Sequence, residues 1–131
     1  MTKSRIISSI VFCFYIAAVA YLCFAQPDSV PQMPESWFGL PADKVCHLLM
    51  FIPFPILAFE TFGYGISRPL YQILLLCTLI AAGITMAVGT EYIQAHLAYR
   101  SAEKGDFLAD TAGLIIGGLL TVCLIIYKRK K

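Results

Sequence analysis

The stretch LYQILLLCTLIAAGITMAVGT, residues 70–90, decides the fold. It contains no Asp, Glu, Lys, Arg or His. As a helix rising about 1.5 Å per residue, it is long enough to cross roughly 30 Å of hydrocarbon. Its apolar residues do not alternate with polar ones, which argues against a barrel strand. Two similar runs precede it, at residues 6–24 and 45–62, and one follows, at residues 107–127. The expectation is an all-α integral membrane bundle of four transmembrane helices, in a single domain over residues 1–131.

Composition agrees. The chain is 59% hydrophobic and 14% charged, with a mean hydropathy of +0.75. A water-soluble domain carries about a quarter charged residues to keep its surface hydrated. A net charge of +2 gives no footprint for nucleic acid, and none is expected as a partner. Lys3 and Arg5 ahead of the first run imitate a signal peptide. That run exceeds the usual signal core of about 7–15 residues, so it reads as a retained helix. The five cysteines form no CxxC pair and read as small hydrophobes. Cys23 and Cys46 fall near one membrane face, the one place where a disulfide deserves consideration.

Charge placement sets the orientation. Lys3, Arg5, Arg68, Lys128, Arg129, Lys130 and Lys131 fall at the termini and the short middle turn. Basic residues favour the cytoplasmic side, so both termini are expected there. Asp28, Glu35, Asp43, Glu91, Glu103, Asp106 and Asp110 gather at the opposite face, and Glu60 stands by itself at the inner end. Residues 25–43, rich in proline, read as an outer loop with Trp37 and Phe38 at the interface.

Polar groups at membrane depth are costly unless paired, so their spacing is informative. Asp43 and His47 share a helix face, as do Gly83, Ala87, Glu91 and Gln94, and as do Asp106, Asp110, Gly113 and Gly117. Arg100 lies on the loop between the last two helices. Gly113 and Gly117 form a GxxxG pair suited to close helix packing. Lys44 and Arg100 are expected to meet anionic groups, with Asp43, His47, Glu91, Gln94, Asp106 and Asp110 arranging hydrogen bonds. A purely structural network that locks the bundle fits the same spacing. His96, Glu91 and Asp106 lack HExxH-type spacing, so no metal or other cofactor is expected. Phe12, Phe14 and Tyr15 read as lipid-facing, and Pro53 and Pro55 as a kink.

Three blocks, Asp43-Lys44-Val45-Cys46-His47, Glu91-Tyr92-Ile93-Gln94 and Arg100 through Asp106 and Asp110 to Gly113, together resemble the VanZ-like family. The resemblance spans about residues 43–117. The chain departs from the pattern at Asp110, where the family usually has asparagine. The family is named for a protein linked to teicoplanin resistance. Resemblance therefore implies a bacterial cytoplasmic membrane and a role at the cell envelope, without implying a reaction. The expected function is handling of an amphiphilic envelope molecule, such as a lipid-linked precursor or a lipoglycopeptide. Two alternatives stand beside it: an enzyme acting on a lipid headgroup with His47 or Glu91 as general base, and an accessory subunit docking a partner helix on the GxxxG face.

Overall fold

The computed structural model describes residues 2–29, 32–99 and 102–131. The chain is an all-α bundle of four helices of membrane-spanning length and composition. Helix α1 is Lys3–Phe24, and its first turn is capped by Thr2, whose hydroxyl accepts from the Arg5 amide at 3.4 Å. The second span is divided into α2, Ala42–Phe51, and α3, Pro53–Phe62. Helix α4 is Pro69–Ala95 and α5 is Lys104–Lys130.

The division falls at Ile52, which keeps helical torsion angles. Pro53 and Pro55 bring no backbone N–H, so two helical hydrogen bonds are lost and the span kinks. Helices α4 and α5 run past their apolar stretches at both ends. Their backbones stay helical into the polar face, where Glu91, Gln94 and Asp106 find partners described below. Asp106 in the first turn of α5 and Lys128, Arg129 and Lys130 in its last turn complement the helix dipole.

The loop after α1 is more ordered than its prolines suggest. Ser36–Trp37 (β1) pairs antiparallel with Leu40–Pro41 (β2). The two residues between them, Phe38 and Gly39, have φ of 53° and 78°. Positive φ at both central positions marks a tight hairpin turn whose twist suits the strands. Glycine adopts it freely, whereas Phe38 is held in an uncommon region with its ring almost wholly exposed.

Helix α5 is the hub, packing on α2, α3 and α4. A methyl carbon added at Gly113 would lie 2.5 Å from the Leu48 carbonyl oxygen, and one at Gly117 would lie 2.1 Å from that of Ile52. The GxxxG face is therefore filled by the kinked second span. It is not free for a partner helix, which removes the accessory-subunit alternative in the form given above. Gly83 admits Leu114 and Phe54 in the same way. Phe51, Ala58, Ala87 and Leu114 are completely buried at the centre.

Helix α1 is peripheral, with Val19 and Cys23 its buried residues. The reading of its aromatics as lipid-facing holds for Phe14, which is exposed. It fails for Phe12, whose ring packs against Phe54 and Phe62 of α3. It fails also for Tyr15, whose hydroxyl donates to the Met50 carbonyl at 2.5 Å. That carbonyl sits just before the proline kink, where a side-chain donor can serve it.

Candidate functional site

One end of the bundle collects the acidic residues and the other the chain termini. At the terminal end, Lys128 pairs with Glu60 at 2.6 Å, and Arg129 donates to Gln72 at 2.6 Å and to the Ser67 carbonyl at 3.0 Å. Glu60 thus meets a cation brought back by α5.

At the acidic end, the first turn of α2 faces the first two turns of α5. Lys44 extends its ammonium among three carboxylates: Asp43 at 2.8 Å, Glu103 at 2.5 Å and Asp106 at 2.5 Å. Its stem passes over Gly105, where an added methyl carbon would lie 2.7 Å from the Lys44 Cε. The glycine is thus a seat for the lysine. One turn deeper, His47 places Nδ1 2.8 Å from Asp110 Oδ1, and its Nε2 points toward Asp106 Oδ2 at 3.6 Å. Asp106 accordingly shows one oxygen to Lys44 and the other to His47. Glu91 completes the group from α4, its Oε2 accepting the backbone N–H of Glu103 at 3.2 Å.

The structure brings together Asp43, Lys44, His47, Glu91, Asp106 and Asp110. One described residue of the expected cluster, Gln94, does not join it. Gln94 donates instead to the Cys23 carbonyl at 2.8 Å, fastening α4 to the end of α1; Tyr99 does likewise through the Phe24 carbonyl at 2.7 Å. Arg100 lies outside the described residues. No disulfide joins Cys23 and Cys46, and the Cys46 thiol contacts the Met33 sulfur at 3.1 Å. Lys44, expected to meet anionic groups, has its ammonium among three carboxylates of the chain itself.

The histidine weighed for metal binding in the sequence is not the relevant one. His96 turns back to the Tyr92 carbonyl at 2.8 Å. His47, Glu91 and Asp106 instead bring one ligand atom each to within 4.8 Å of one another, although they come from three helices. Asp43, Glu103 and Asp106 form a second such group, but there the Lys44 ammonium already stands among the oxygens.

Beside this cluster, a cleft of about 540 Å³ opens between α1 and α2. Val19, Leu22, Leu49 and Met50 supply apolar walls, while Met33 and Trp37 of the loop between α1 and α2 cover one side. Asp43 and His47 line the same cleft, so an apolar chamber meets an acidic group. Glu103, Gly105 and Tyr15 also shape this end, although none was among the expected site residues. The signal for the first two was their adjacency to Asp106; Tyr15 offered none.

No family model matches the chain, and no solved structure does. The chain is similar to an uncharacterized protein of the fission yeast Schizosaccharomyces pombe, 27% identical over 120 residues. The aligned part covers 92% of this chain and 64% of the yeast protein, so the chain spans less than two thirds of that relative's length.

Proposed function

We propose that this is a VanZ-like membrane protein that holds an amphiphilic envelope molecule, its apolar portion in the cleft between α1 and α2 and its polar head at Asp43 and His47. The observation carrying this reading is the chamber itself, apolar along its walls and acidic at one place. Pockets of a few hundred cubic ångströms with mostly apolar walls and a few convergent polar groups are the usual form of small-molecule sites. The family reading rests on the three sequence blocks, which supply Asp43, Lys44, His47, Glu91, Asp106 and Asp110 to this end of the bundle.

The acidic lining selects the kind of head group. Carboxylates accept hydrogen bonds and repel anions, so hydroxyls, amides and amines suit this end. A glycosylated lipid-linked precursor or a lipoglycopeptide such as teicoplanin presents such groups. Basic residues favour the cytoplasmic side, and on this reading both chain ends lie in the cytoplasm and the cleft on the outer side of a bacterial cytoplasmic membrane.

Native mass spectrometry of the detergent-purified protein tests the reading. Wild type is expected to retain a co-purified amphiphile. Leu49→Trp fills the chamber from a half-exposed position, and should lose that adduct with little change in melting. A wild-type spectrum free of adducts, with no binding of added glycolipid or teicoplanin, overturns it.

A further inference from the structure

We propose that His47, Glu91 and Asp106 form a site for one divalent first-row transition ion, of which Zn²⁺ is the best match and Mn²⁺ the next. The inference shares His47 with the amphiphile reading, but it is argued from the polar cluster and not from the cleft.

The imidazole is oriented as a metal-binding imidazole is. His47 Nδ1 lies 2.8 Å from Asp110 Oδ1. An ionised carboxylate only accepts, so Nδ1 carries the hydrogen, and in the neutral imidazole Nε2 keeps its lone pair. A carboxylate behind the histidine fixes the tautomer and raises the basicity of the other nitrogen, the usual arrangement behind a metal-bound imidazole. Asp110 is completely buried, and its second oxygen has no hydrogen-bond partner.

The atoms facing Nε2 are acceptors too. Asp106 Oδ2 stands 3.6 Å away, beyond a hydrogen bond. Two lone pairs held face to face repel unless a proton or a metal ion lies between them. Ligands about 2.0–2.1 Å from a tetrahedral zinc are separated by roughly 3.3 Å, so this spacing needs little adjustment. Glu91 brings the third ligand atom, and its Oε1 is buried without a partner. Its other oxygen is steadied by the Glu103 amide.

Charge points the same way. Five carboxylates gather here: Asp43, Glu91, Glu103, Asp106 and Asp110. Among the described residues, the cations paired with them are Lys44 and, if protonated, His47. Lys44 serves the outer three and leaves Asp106 Oδ2, Glu91 and Asp110 to the deeper centre. One nitrogen and two oxygens on a divalent ion leave coordination positions for water, as in sites that act on substrates and not only on the fold.

The competing account makes His47 an imidazolium bridging Asp110 and Asp106, with no metal. Elemental analysis of the full chain separates them. Protein stripped with chelator in detergent, re-equilibrated with Zn²⁺ or Mn²⁺ and desalted, is expected to hold about one ion per chain. His47→Gln, Glu91→Gln and Asp106→Asn should each abolish it, while Asp43→Asn, whose carboxylate faces Lys44, retains it. Asp110→Asn, acting through His47, should weaken binding by about 10–100-fold. Co²⁺ loading adds a visible spectrum that His47→Gln should erase. If His47→Gln does not fold, Glu91→Gln on its separate helix decides. Wild type that takes up neither ion, or uptake unchanged in the folded Glu91→Gln variant, overturns the proposal.

Discussion

The amide end of α5 and the start of α2 are joined where His47 Nδ1 meets Asp110 Oδ1 at 2.8 Å, with the aspartate sealed completely from solvent. Removing the acceptor leaves a buried imidazole donor unmet, which costs about 1–3 kcal/mol. Asp110→Ala should therefore lower the melting temperature clearly in detergent. Asp110→Asn keeps an amide oxygen for His47 and should melt within a few degrees of wild type. Equal losses in the two variants would show that the negative charge, not the hydrogen bond, stabilises this contact.

The glycines of α5 make a sharper test of packing. Gly117→Ala adds a carbon at 2.1 Å from the Ile52 carbonyl oxygen and 2.9 Å from Pro55 Cδ. Overpacking of this kind costs about 1–3 kcal/mol, and Gly117→Leu should cost more. Gly89 on α4 meets nothing within 4 Å. Gly89→Ala should stabilise by about 0.5–1 kcal/mol through helix propensity alone. Differential scanning fluorimetry on both variants, in one detergent, reads the contrast; similar shifts would contradict the packing described.

Lys44 and Glu103 provide a double-mutant cycle. Lys44→Gln leaves Asp43, Glu103 and Asp106 without the ammonium between them, and should lose roughly 1–3 kcal/mol. Adding Glu103→Gln removes one repelling charge and should recover part of the loss. Glu103 is half exposed, so by itself Glu103→Gln should cost under about 1 kcal/mol. Strict additivity of the two changes would mean that the pair does not interact.

Orientation is open to labelling. Lys104 and Lys130 terminate α5, and a helix of 27 residues extends about 40 Å at 1.5 Å per residue. A cysteine at position 104 should react from outside the cell in a cysteine-free background, and one at position 130 only after permeabilisation. The reverse pattern would turn the acidic end toward the cytoplasm.

The spans were legible because hydrocarbon imposes a length and a composition that no other solvent does. The second was legible as a span but not as α2 and α3, since Pro53 and Pro55 announce a kink without saying how the chain turns. The site was legible in part. Asp43 with His47, and Asp106 with Asp110, lie four residues apart, and helical geometry puts each pair on one face. What spacing cannot show is which face meets which helix. Lys44 therefore looked available to a ligand when three carboxylates already surround it, and Gln94 looked like a member of the cluster when it fastens α1. The hairpin at Phe38 and Gly39 was hidden because phenylalanine is a poor sign of positive φ. The apolar runs stop at the hydrocarbon boundary, while paired polar residues let α4 and α5 continue beyond it.

The seat of α5 on the kink has a genealogical consequence. Gly117 is shaped to the Ile52 carbonyl and the Pro55 ring, and Gly113 to the Leu48 carbonyl and the Phe51 side chain. Each half of this joint is useless without the other: a straightened second span would leave a gap along the glycines, and a bulkier fifth helix would collide with the bend. The prolines and the glycines should therefore be inherited together. Descendant sequences that lose one pair should show a compensating change in the other, even though the two lie about 60 residues apart in the chain.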